Sequence, residues 1–282
     1  FADNYVDLRA DGSILDAFDD DSTTRDWNIN TRDVYLWAGM GTDSDGSIGS
    51  SKNFLEINLQ GGTLAALADQ DIYLHETAGN MYVDVVKSNY GNVGLKAAGS
   101  ILDIDEGIPG NPLVDVYGNN ISLVAEYGTI GASGDDLDID SAFSGPGTLI
   151  SYSEFNTYII EPLGDLRLKT VQTNAGIAFI AAPDPAGGRI LNGNPGGQNV
   201  ISGKTYLFAS LDIGEADSPI TTEVGNIEGK STAGSTWVKN TGPLTVGGVV
   251  DSSDPGMTGG GSATITASSP LIVKEDMIYP NE

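Results

Sequence analysis

The chain has no cysteine, which excludes a disulfide framework, thiol catalysis and cysteine-ligated zinc. It has one histidine, so no His-based metal cluster can form. Basic residues are scarce. With 13 Lys plus Arg against 39 Asp plus Glu, the formal net charge is -26. Such a polyanion is repelled by nucleic acid and by anionic lipid surfaces, so neither is an expected partner. Long apolar runs are also missing: the longest, "IAFIAA" at residues 177–182, falls far short of the roughly 18 residues a spanning helix needs, and no membrane insertion is expected. The first residues, "FADNYVDLRA", lack the basic start and apolar stretch of a signal peptide. The chain therefore reads as an excised or mature segment that begins in mid-pattern.

What is present is glycine, 38 residues of it, and 39% hydrophobic residues, enough apolar material for a core. Short apolar runs of period two alternate with Gly, Asp and Asn turns, and no stretch carries the 3.6-residue periodicity of a long amphipathic helix. The fold class is all-β.

The line "DGSILDAFDDD" near the start returns as "AGSILDIDEGI" at 98–108 and, worn, as "GGRILNGNPGG" at 187–197. Aligning the chain on itself gives repeats that start at Val6 (VDLRA), Val93 (VGLKA), Ile177 (IAFIA) and, truncated, Ala263 (ATITA), spaced by 87, 84 and 86 residues. A second set of strand starts, Val34 (VYLWA), Ile121 (ISLVA) and Thr205 (TYLFA), lies 28 residues after each of the first three. A third set is Ile72 (IYLHE), Thr157 (TYIIE) and Thr236 (TWVKN). Units of 20 to 38 residues that open on an apolar-x-apolar strand and close on glycine-rich turns have the length of one coil of a parallel β-solenoid. The expected architecture is a single solenoid domain over 1–282 with about ten coils, three to each super-repeat (6–92, 93–176, 177–262 and a partial 263–282). At a strand spacing of about 4.8 Å, ten coils give a rod of roughly 45 to 50 Å. An array of antiparallel sandwiches with about 85 residues each shares the period. The sub-repeat and the scarcity of two-residue hairpin turns favour winding.

In this register Val6, Leu8 and Ala10 stack on Val93, Leu95 and Ala97. "GSILD" is a corner, with Gly12, Gly99 and Gly188 taking the positive φ of a sharp turn. Ile14, Ile101 and Ile190 re-enter the core, and Asp16, Asp103 and Asn192 leave it. Matching turn lines end at Gly49, Gly131 and Gly214.

The lines "DIYLHETAGNMYV", "GNVGLKAAGSILD" and "GTIGASGDDLDID" resemble the repeats of filamentous-haemagglutinin-like large exoproteins and adhesins of Gram-negative bacteria. The resemblance implies a right-handed parallel β-helix, exported to the cell surface for adhesion or matrix building. The family's secretion domain and its Asn-Pro-Asn motifs are not among these residues; "NGNP" at 192–195 is the nearest approach. The function this implies is a non-enzymatic structural or adhesive segment of an exported fibre, extracellular or on the cell surface. Its expected partners are neighbouring repeats of the same polypeptide or like subunits, and a host or matrix glycan or protein. A self-polymerising extracellular filament subunit is a further alternative.

Parallel β-helices also host polysaccharide hydrolases and lyases, which makes a carbohydrate-active enzyme the alternative from another class. "SGDDLDID" supplies Asp135, Asp136, Asp138 and Asp140, and paired aspartates serve an inverting glycosidase. The Gly-His-Gly and Arg-x-Lys lines of polygalacturonase-like enzymes are missing, and the plainer reading is a solvated turn that runs into a strand. His75, in "YLHET", falls on an outward strand position and reads as a surface histidine. No catalytic residue is assigned.

Calcium is the one cofactor the composition suggests, because hard cations want six to eight oxygens and clustered carboxylates supply them. The candidate ligands are Asp16, Asp19, Asp20 and Asp21, then Asp43 and Asp45, then Asp103, Asp105 and Glu106, set against the plainer reading of solvated acidic loops. Outward aromatics recur at equivalent positions: Tyr73, Tyr158 and Trp237, and Tyr35 with Trp37 matching Tyr206 with Phe208. They fit a lateral docking surface or a glycan platform, unless an insertion such as residues 39–53 folds over them.

Overall fold

A computed structural model describes residues 4–18, 27–39, 41, 45–104, 114–250 and 255–280. Among these residues there is no helix, and the ladders between strands run parallel, the arrangement of a β-solenoid of about ten coils. The chain clusters into two compact units, residues 1–147 and 148–282.

In the first unit each coil has three sides. On the first, Leu8, Leu36, Ala66, Val86, Val116 and Ile139 follow one another from coil to coil. On the second, the column is Ile14, Ile48, Ile72, Val93 and Ile121. The third carries Met81, Ile101 and Ile130. These are the inward positions of period-two strands, and all from Leu36 and Ile48 onward are buried. The β-branched and leucine side chains of one coil lie directly on those of the next, so the hydrophobic core is a set of columns.

The second unit is built in the same way. One side stacks Ala178, Thr205, Ile227, Val246 and Val273. Two further columns, Leu166, Ile190, Ile213, Thr236 and Ala263, and Val171, Val200, Thr222, Asn240 and Ala267, run side by side, their last members sharing the strands Thr236–Asn240 and Ala263–Ala267.

The expected register is corrected by these columns. Val6 does not stack on Val93: starting from Val6 the first side is met at Val34, Leu64 and Val83, and Val93 opens the second side that follows. In the second unit, likewise, Ala178 is followed by Thr205, Ile227 and Val246, after which Ala263 opens the next side. One sequence repeat is thus three coils and one further side. The extra side comes from strands without an apolar-x-apolar line, such as Thr63–Ala68 (TLAALA), which pairs with Asp33–Ala38 where Ile72 was expected to.

Corner chemistry follows the same logic. Ile14, Ile101 and Ile190 do enter the columns, but Gly12, Gly99 and Gly188 have no positive φ. Gly99 and Gly188 are needed for close approach: a Cβ would lie 2.3 Å from Asn80 Oδ1 in one case and 2.5 Å from the Ala182 carbonyl oxygen in the other. Asp103, expected to leave the core, is buried opposite Val83. Side-chain ladders fix the corners. Asn92 donates N and Nδ2 to Asp71 Oδ1 at 2.7 and 3.2 Å, and Asn120 repeats the pattern on Asn92 Oδ1 at 3.2 and 2.8 Å. Buried Glu76 accepts from the amides of Leu59, Ala78 and Gly79 at 2.7, 3.0 and 3.1 Å.

Candidate binding surfaces

Three turn lines lead to the same local device. Gly49, Gly131 and Gly214 hold φ of 62, 62 and 72°, the left-handed region glycine tolerates. Each begins an excursion closed by two reciprocal backbone hydrogen bonds: Ser50 with Asn53, Ala132 with Asp135, and Glu215 with Ser218. The strand then resumes. Ile48 pairs with Ile72 and Leu55 with Leu74, just as Ile213 pairs with Thr236 and Ile220 with Val238. Six residues are therefore extruded between neighbouring positions of an otherwise continuous side.

The first excursion decides the environment of Tyr73. Phe54, its last residue, meets the Tyr73 ring edge-on with centroids 5.4 Å apart. Below the ring lies Gly94, where a Cβ would come within 2.5 Å of Tyr73 Cδ1, so the glycine leaves room for the ring to lie on the strand. Burial accordingly pushes the Tyr73 phenol up. Tyr73 is packed by this insertion.

The other aromatics do not form one stripe. Tyr158 and Trp237 stand on different sides of their coils, because the strand Thr157–Ile160 pairs with Ile177–Ala182 and Trp237 pairs with Thr264. Tyr158 and Tyr206 do share a side, joined through Phe179: Tyr158 lies 6.2 Å from Phe179, and Phe179 stacks on Tyr206 at 5.2 Å and 3°. Phe208 is outward on the same strand as Tyr206, opposite Ala181. Phe179 was missed because "IAFIAA" was aligned one residue out of phase. Ala178, Ile180 and Ala182 are the buried inward set, and a slip of one residue exchanges the faces of a strand.

Tyr35 and Trp37 belong to Asp33–Ala38 and stand opposite Asp7 and Arg9 of Tyr5–Ala10. Together with Tyr5 and Asp33 these residues line a groove of about 460 Å³. Arg9 holds Asp7 through Nε–Oδ1 and Nη2–Oδ2, both 2.9 Å, and its guanidinium lies 5.1 Å from the centre of the Trp37 ring. Tyr5 and Tyr35 meet at 75° with centroids 6.1 Å apart. The hydrogen bond from Arg9 holds the exposed Asp7 carboxyl below its ordinary range.

Of the calcium candidates, Asp19, Asp20, Asp21, Asp43, Asp105 and Glu106 lie outside the described residues. Asp45 is exposed and Asp103 is in the core. Asp16 Oδ1 accepts from Asn28 Nδ2 at 2.7 Å and the Phe18 amide at 2.9 Å, while Asp16 Oδ2 and Asn53 Oδ1 are buried oxygens with no hydrogen-bond donor. Among the described residues no group of three or more His, Cys, Asp or Glu side chains gathers in a metal-binding arrangement.

His75 is outward, as its strand phase implies, with Glu56 and Lys96 as its lateral partners. It is nevertheless half-buried. Desolvation lowers it to about 4, helped by Lys96 and opposed by Glu126. Of the four aspartates in "SGDDLDID", Asp135 closes the second excursion, Asp136 follows it, and Asp138 and Asp140 lie on Leu137–Asp140. Asp140 is buried, accepts from the Ala142 amide at 3.1 Å, and is raised chiefly by that burial. Its strand neighbours are Tyr117 and then Lys87, whose ammonium caps the rings of Tyr117 at 5.1 Å and Phe143 at 4.4 Å.

Compared with protein-family models, with curated proteins and with solved structures, the chain matches none.

Proposed function

We propose that the chain is a non-enzymatic structural and adhesive segment of an exported surface fibre, of the kind its repeat lines resemble in filamentous-haemagglutinin-like exoproteins. The observation that carries this reading is the threefold recurrence of the glycine-headed excursion, with the same reciprocal hydrogen bonds at Ser50/Asn53, Ala132/Asp135 and Glu215/Ser218. An enzyme concentrates its chemistry in one cleft, whereas a stalk displays equivalent features at intervals. The sequences of the three excursions differ while their backbone is kept, which suits a frame that presents variable loops to a partner outside the cell. Fold alone does not assign function, and the proposal rests on this repeated surface. Calcium at Asp16 and Asn53 belongs to the same proposal as a stabilising ion for the acidic loops.

The test has two arms. Antibody raised against this segment should label intact, unpermeabilised cells that carry the parent polypeptide; labelling only after lysis would overturn the surface assignment. Incubated with neutral and acidic polysaccharides, the chain should release no reducing ends. Turnover that is abolished by Asp135→Asn or Asp140→Asn would establish the carbohydrate-active alternative instead.

A further inference from the structure

The groove on the outward face of Tyr5–Ala10 and Asp33–Ala38 combines three aromatic rings with two carboxylates, of which Asp7 has both oxygens and Asp33 one oxygen engaged within the protein. Asp7 gives one oxygen to each of two Arg9 nitrogens. Asp33 Oδ1 accepts from the Thr63 amide at 3.0 Å and from Thr63 Oγ1 at 3.3 Å. What the pair offers a ligand is therefore negative charge more than directed acceptor geometry. Arg9 neutralises one of the two, which leaves the groove net negative in a chain whose overall charge is -26.

Aromatic faces beside uncompensated negative charge attract cations through the ring quadrupole, and the attraction grows when the cation is weakly hydrated. A cation with hydrogens to donate would want several directed acceptors, and Asp7 and one oxygen of Asp33 are already engaged. A cation without such hydrogens needs only rings and charge, which is what this groove holds. The position of Arg9, 5.1 Å over Trp37, records that the ring set already accommodates a delocalised cation.

We propose that this groove binds a quaternary ammonium head group of the choline type. Tyr5 and Tyr35, meeting at 75°, form two walls, Trp37 forms the third, and Asp33 supplies the charge. A volume of about 460 Å³ accommodates a trimethylammonium group and the start of its chain. The inference concerns a ligand and stands independently of the fibre reading.

The experiment titrates the whole chain with choline chloride, with sodium chloride at matched ionic strength as control and glucose as a neutral comparison, following tryptophan fluorescence and heat. Choline is expected to bind saturably at one site, and Tyr35→Ala and Asp33→Asn are each expected to weaken it about tenfold. Asp33→Asn keeps an oxygen for the Thr63 amide, so its effect reports charge even if Tyr35→Ala perturbs folding. Tyr73→Ala, on another side of the coil, should leave the affinity unchanged. A response equal to that of sodium chloride, preferential binding of glucose, or choline binding untouched by both groove variants would each overturn the assignment.

Discussion

Leu8 and Leu95 hold the same place in the sequence repeat and stand on different sides of the coil. Leu8 lies on Leu36, whereas Leu95 lies between Leu74 and Leu123. Their burial differs accordingly, 38% exposed for Leu8 in the first coil and 1% for Leu95. Leu95→Ala opens a cavity in the middle of a column and should cost about 2 to 5 kcal/mol. Leu8→Ala, already in contact with water, should cost about 1 kcal/mol or less. Denaturant unfolding of the two variants checks the register, and equal losses would contradict it.

The three-coils-and-a-side repeat explains what could be read from the sequence. Strand starts such as Val34, Ile72 and Ile121 were legible because each carries alternating large apolar residues. Thr63–Ala68 was not: three alanines and a threonine make a weak line, although Leu64 and Ala66 are fully buried, because small side chains fit where the column is tight. The side to which a start belongs depends on counting such weak strands, so one missed strand rotates every later assignment. The aromatic set failed for that reason at Trp237 and for a one-residue phase error at Phe179. Arg9 over Trp37 was not legible at all, since it depends on Tyr5–Ala10 pairing with Asp33–Ala38 in one particular register.

Two glycines separate backbone conformation from stacking. Gly49 and Gly61 both have positive φ, 62 and 81°, so alanine meets comparable strain at either. A Cβ at Gly61 enters open space, whereas at Gly49 it would sit 2.2 Å from the Tyr73 carbonyl oxygen of the next coil. Gly61→Ala should cost about 1 kcal/mol from strain. Gly49→Ala should cost several times more, because backbone on a neighbouring coil must move. Thermal unfolding of both variants under one condition measures the difference.

His75 makes stability sensitive to mild acid. The imidazole titrates at about 4 in the folded chain against 6.5 for the free group. Above pH 6.5 it is neutral in both states, and between 6.5 and about 4 the unfolded chain takes up the proton first, so acidification through that window removes stability. Glu76 and Asp140, raised by burial, act in the opposite sense, since the folded chain protonates them first. Comparison with His75→Gln isolates the histidine. Between about pH 7 and pH 5 the wild-type melting temperature should fall further than that of the variant. Parallel falls would show that the ring is not desolvated.

Calcium should stabilise the chain more than magnesium does. Asp16 Oδ2 and Asn53 Oδ1 are buried without donors, a cost that a cation removes, and a bound cation also offsets part of the charge of -26. An ion that binds only the folded state stabilises by RT ln(1 + [L]/Kd), about 2.7 kcal/mol at a hundredfold excess over Kd. Calcium accepts irregular sets of carboxylate, amide and carbonyl oxygens, whereas magnesium demands near-octahedral geometry and retains water. The expected result is a rise in melting temperature with millimolar calcium that exceeds the rise with magnesium and is lost in Asp16→Ala and in Asn53→Ala. Equal rises from both ions, unchanged in those variants, would be general screening of the acidic surface. No rise in a folded sample would leave the two oxygens to water.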